Sequence, residues 1–108
     1  MIPIVITQTG AGTSGVAAFN IHATPFNVGI GCVVSGAVNY TIQHTFDDVM
    51  ITPQSSCAWF NHDDADLNNA TGNQDSNYDF PVRASQVVVN SGTGSVKTTF
   101  IQAGGVGG

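Results

Sequence analysis

Charge is scarce in this chain. Charged side chains are 8% of its 108 residues, with no Glu, one Lys (Lys97) and one Arg (Arg83), and seven Asp set the net charge at −5. Soluble proteins average roughly 25% charged residues. An acidic surface with two cations gains no counterion release from a phosphate backbone, which excludes nucleic acid from the expected partners. Leu is nearly missing too, found only at Leu67. With Glu, Lys and Arg also scarce, most of the good helix formers are gone. No apolar run approaches the roughly 20 residues a membrane-spanning helix needs, so no membrane partner is expected. The opening residues lack the charged, apolar and cleavable regions of a secretory leader. Two cysteines, Cys32 and Cys57, are too few for a disulfide scaffold and lack metal-site spacing, and a single bridge between them stays open.

What remains favours strands. Val, Ile, Phe and Thr suit a pleated, half-buried surface. The length fits one domain, here residues 1–103 followed by a Gly-rich tail, 104–108, with no core of its own. Residues 2–8 (IPIVITQ) read as a first strand, entered at an edge because Pro3 cannot donate to a ladder. The Gly-rich stretch 10–15 reads as a flexible connector, and 16–23 as a short strand stopped by Pro25. Residues 28–34 and 38–46 alternate with period two around Ser35-Gly36, the pattern of a β-hairpin. Val38, Tyr40, Ile42 and Phe46 should then be buried with Val28, Ile30 and Cys32, leaving Thr41 and Gln43 on a wet face. Gly29 and Gly31 share one strand face and should leave a shallow trough there. Residues 57–60 (CAWF) read as a short strand, 61–77 as a long polar loop, and 78–90 and 96–102 as strands around a Ser91-Gly92-Thr93-Gly94 turn. With no helix to cover a sheet, the apolar faces must bury against a second sheet. The fold expected is all-β: a sandwich or jelly roll of about seven or eight short antiparallel strands.

The motifs offer little chemistry. Residues 10–15 (GAGTSG) match G-x-G-x-x-G, but the following segment runs into Pro25 and the first acidic residue is Asp47, so dinucleotide binding is not expected. Asp64, Asp66, Asn68 and Asp75 occupy the first, third, fifth and twelfth positions of a calcium loop. The loop lacks the turn Gly and the terminal Glu, and a solvated Asx-rich loop is the plainer reading. His22, His44 and His62 are scattered, and His44 falls in the apolar register. Ser14 is outside a nucleophile elbow. Asp47 and Asp48, adjacent on a strand, point to opposite faces. No catalytic residue, cofactor or metal is expected, and the chain reads as a non-enzyme. Trp59 and Phe60 read as a core aromatic pair, with a sugar-stacking platform as the alternative.

From Gly31 onward the sequence runs GCVVSGAVNYTIQHTFDD, then WFNH, then NYDFPVRASQVVVNSGTGSVKTTFIQAG. This order of elements, over about two-thirds of the chain, resembles small proteins encoded in the head-gene region of tailed bacteriophages: capsid decoration, or cement, proteins. The resemblance implies a β-sandwich or jelly roll made in the host cytoplasm. It further implies a homo-oligomer, dimer or trimer, bound to the major capsid protein on the virion exterior. Candidate interface residues are Ile2, Ile4, Val5 and Ile6, on a terminal strand that the connector would let swing out, and Trp59 and Phe60. The alternative is a carbohydrate- or receptor-binding module of a phage tail or adhesin, using Trp59, Tyr78 and the Asp-rich loop.

Overall fold

Every long run of alternating apolar residues forms a strand. The structure, a computed structural model, describes residues 3–23 and 25–103. Its strands are β1 (Ile4–Thr9), β2 (Gly12–Thr13), β3 (Ala17–Ala18), β4 (Asn27–Ser35), β5 (Val38–Thr45), β6 (Phe60–Asn61), β7 (Gln74–Tyr78), β8 (Ala84–Gly92) and β9 (Ser95–Ala103). Two 3₁₀ turns, Gln54–Ser56 and Ala65–Leu67, complete the list. All pairings are antiparallel. One sheet has the order β1-β9-β4-β7; the other has β2-β8-β5-β6, with β3 also on β8. If β2 and β3 are taken as one interrupted strand, two four-stranded sheets wrap in an order compatible with a jelly roll.

The expected hairpin is not a hairpin. β4 lies in the first sheet and β5 in the second, so residues 36–37 form an arch between layers. Two more two-residue arches, 10–11 and 93–94, link β1 to β2 and β8 to β9. Three neighbours in one sheet (β1, β9, β4) thus continue as three neighbours in the other (β2, β8, β5). The middle arch ties the stack together: the Gly10 amide donates to the Gly94 carbonyl (2.9 Å) and the Gly94 amide to the Ala37 carbonyl (3.0 Å). Glycine is required here. Gly36 and Gly92 have φ of +84° and +104°, and a Cβ on Gly92 would lie 2.9 Å from the Val38 Cα and closer still to the Ala37 carbonyl oxygen. Period two marks a strand but is silent on which sheet the next strand joins, and this is why the sequence pattern misread the turn.

The Gly-rich connector is also pinned rather than flexible. Gly12–Thr13 pairs with β8, the Ser14 amide donates to the Val87 carbonyl (2.8 Å), and the Ser14 hydroxyl accepts from the Val87 amide (2.9 Å). Of residues 16–23 only Ala17–Ala18 is a strand, and of 57–60 only Phe60 is in one. The stretch 61–77 is no structureless loop, since Gln74–Tyr78 forms an edge strand on β4 and Ala70 bridges Tyr40. Residues 49–52 form a turn whose Ile51 and Thr52 amides donate to the Asp48 carbonyl. The tail 104–108 and Ile2 lie outside the described residues.

The core joins Val28, Ile30, Cys32, Val96 and Phe100 of one sheet to Val38, Tyr40, Ile42, Val87 and Val89 of the other, with Leu67, Tyr78 and Val82 closing gaps. Burying a large aliphatic or aromatic side chain contributes about 1.5–3 kcal/mol each. Phe46 does not join them: it is 51% exposed. Nor is the second face of β5 wet, because Thr41 and Thr45 are buried beneath neighbouring segments. Cys32 and Cys57 are unbridged; Cys32 is buried, and desolvation pushes its thiol pKa up.

Candidate functional site

The end of the sandwich away from the arches is filled by aromatic rings. β5 delivers His44 there on its inner face, with ring centroids 5.2 Å from Tyr78, 5.5 Å from Phe46, 5.9 Å from Phe80 and 6.0 Å from Phe60. His44 is buried, and its Nδ1 has no hydrogen-bond partner among the described residues. Desolvation, then the neighbouring His62, lowers its pKa, while Asp63 opposes the shift. His62 is different. Its Nδ1 accepts from the Asp64 amide (2.9 Å), so Nε2 carries the proton and donates to the Asn77 carbonyl (2.9 Å). The Asp63 carboxylate 3.2 Å from that Nδ1 is therefore no ion pair while His62 is neutral.

The same end exposes apolar surface. Phe46 and Phe60 are half exposed with centroids 5.8 Å apart, and Met50 and Ile51, in the turn after Phe46, are among the most exposed apolar side chains. A second apolar set, Val5, Val33 and Ile101, lies on the outer face of the β1-β9-β4-β7 sheet. The expected trough is there as well. Gly29 and Gly31 stand between Ile101 and Thr99 of β9 and Asn77 and Asp75 of β7. A Cβ on Gly31 would meet nothing within 4 Å.

The sequence candidates separate on this fold. Ile4 and Ile6 pack against the chain's own core, and β1 pairs with β9 through six residues, so the terminal strand is an edge strand of its own sandwich. Val5 and Phe60 remain on the surface. Phe60 is not half of a core pair, and Trp59 is only partly buried, its Nε1 donating to the Gln54 carbonyl (2.9 Å). Tyr78 is fully buried, its hydroxyl 3.2 Å from the Ser85 hydroxyl, and offers no ring to a sugar.

The calcium set does not assemble. The Asp64 carboxylate accepts from the Asp66 amide (3.0 Å) and the Ser76 hydroxyl (2.8 Å), contacts that also lower its pKa. Asn68 turns its amide nitrogen onto the His62 and Asp64 carbonyls, at 2.7 and 3.0 Å. Asp75 stands on β7, in register with Gly31. Among the described residues no three His, Cys, Asp or Glu gather closely enough to hold a metal ion. Asp47 and Asp48 build their loop: Asp47 accepts from the Ala58 amide (2.7 Å), and Asp48 accepts from the Met50 amide (2.9 Å) and lies 3.6 Å from Arg83.

Comparison with protein-family models, curated proteins and solved structures gives no match.

One further feature had no signal in the sequence. The outer face of the β2-β8-β5-β6 sheet carries a chain of amides. Gln54 donates to Gln86 (2.7 Å), Gln86 to Gln43 (2.8 Å) and Gln43 to Asn61 (2.9 Å). The residues come from four separate segments, and only the register of β5 on β8, which sets Gln43 opposite Gln86, brings them together. A cavity of about 460 Å³ opens beside this chain, lined by Thr13, Gln54, Ser55, Trp59 and Gln86.

Proposed function

We propose that this chain is a virion structural protein, a decoration protein that binds the outside of a tailed-phage head as a homo-oligomer and clamps its shell. The observation that carries the reading is the exposed apolar surface at two separate places on a charge-poor protein. Exposed apolar patches rimmed by polar residues mark interaction surfaces, and interface cores are depleted of charge. A clamp needs one surface for the shell and another for its own copies. The aromatic end, with Phe46, Phe60, Met50 and Ile51, is assigned to the shell. The flat outer face of the β1-β9-β4-β7 sheet is assigned to neighbouring copies. That face carries the single Lys97 and Asp75, both exposed, so a second copy related by a two-fold axis offers each to the other. The wrapped strand order suits a rigid part that must not deform when bound.

Purified particles of the phage whose genome carries this chain test the proposal. The chain should be present in a simple ratio to the major capsid protein and accessible to protease or antibody from outside. Particles that lack it, or hold it only in the interior, contradict the proposal.

A further inference from the structure

We infer that the cavity on the outer face of the β2-β8-β5-β6 sheet is a binding site for a neutral saccharide, a second function independent of the shell-binding reading. Its walls come from several elements: Thr13 on β2, Gln54 and Ser55 on the first 3₁₀ turn, Trp59 just before β6, and Gln86 within β8. At about 460 Å³ it is the size of a small-molecule site.

The walls are held in place. The Gln54 amide nitrogen bonds both the Ser14 carbonyl (2.8 Å) and the Gln86 amide oxygen (2.7 Å), and its backbone carbonyl fixes the Trp59 indole (2.9 Å). Gln86 is buried and locked at its other end to Gln43. Hydrogen-bonding capacity is left over. Among the described residues, the Thr13 and Ser55 hydroxyls and the Gln54 side-chain oxygen have no partner, and Gln86 uses one of its two amide hydrogens.

The chemistry of these walls selects the ligand. None of the five lining side chains is charged, so nothing compensates the desolvation of an ionic ligand. Nucleotides are disfavoured further by the net charge of −5. Hydroxyl, amide and indole groups lining one cavity suit a molecule with alternating hydroxyls and an apolar C–H face, and a sugar ring has both.

Trp59 is the only tryptophan, so its emission reports on this cavity alone. The full-length chain is titrated with glucose, galactose, N-acetylglucosamine, lactose and chitobiose to about 50 mM, the range in which weak sites saturate. The indole N–H cross-peak is followed in parallel by NMR. At least one of these sugars should give a saturable change in both readouts, while glucose 6-phosphate should give none. The exposed substitutions Thr13→Val and Ser55→Ala, combined, should keep the fold by circular dichroism and weaken binding about tenfold. No saturable response to any of the five neutral sugars overturns the inference. Binding unchanged in the double variant, or response to the charged sugar alone, overturns it equally.

Discussion

Replacing Gly92 with Ala tests the stacked arches on which the fold rests. The backbone at Gly92 has φ of +104°, and a Cβ there would lie 2.9 Å from the Ala37 carbonyl carbon and the Val38 Cα. Holding an L-residue at such a φ costs about 1–3 kcal/mol. The clash is with backbone, so no side chain can rotate away. The 36–37 arch must move, and the 3.0 Å bond from the Gly94 amide to the Ala37 carbonyl goes with it, a loss of about 0.5–1.5 kcal/mol. The sum is about 1.5–4.5 kcal/mol, a large share of the roughly 5–15 kcal/mol that holds a domain together. Thermal melting followed by circular dichroism should show the midpoint fall by about 6 °C or more. Gly31→Ala is the control. With ordinary φ and nothing within 4 Å of the new Cβ, it should be neutral or stabilise the strand by about 0.5–1 kcal/mol. If Gly92→Ala melts within a degree or two of the parent, the arches are wrong and β4 and β5 form the simple hairpin that their alternation suggests.

Ile42→Ala should cost about 2–5 kcal/mol in chemical denaturation, whereas Phe46→Ala, at a half-exposed site, should cost less than half as much; equal costs would place Phe46 in the core. His44 has a folded-state pKa lowered by burial, so its neutral form is favoured by folding. Its contribution should be present above the unfolded pKa of about 6.5 and be lost as pH falls from there through the lower folded value. The melting midpoint should decline over that interval, and His44→Phe should remove part of the decline; an identical slope in the variant refutes the assignment. Lys97→Asp should weaken self-association in sedimentation velocity at micromolar concentration without lowering the melting midpoint, and unchanged association would detach that sheet face from the oligomer.

Fold class was legible because β-branched and aromatic residues alternate and helix formers are missing. The inward register of Val28, Ile30, Cys32, Val38, Tyr40 and Ile42 followed from the same alternation and holds in the structure. Phe46 broke the pattern because it stands just past the end of β5, where the strand face no longer dictates direction. Thr41 was misplaced for a different reason. Residues far along the chain cover it, with the Asn69 amide and the Asn90 side chain both bonding its hydroxyl (3.1 Å each). β7 was hidden because QDSNY carries almost no apolar signal; its polar side chains suit an exposed edge. The trough at Gly29 and Gly31 was readable since two glycines two apart on a strand must share a face. The cavity at Trp59 was not, since glutamines in different segments have no local pattern that brings them together.

Reattachment to the shell tests the central claim most directly. Head shells stripped of this chain are mixed with the wild-type protein or with the Phe46→Ser, Phe60→Ser double variant, and bound protein is measured by co-sedimentation. Both positions are half exposed, so the variant should fold. The account predicts that the wild type rebinds to saturation and that the double variant loses at least about tenfold in affinity. Rebinding of the folded variant with undiminished affinity, or no rebinding of the wild type, would contradict it.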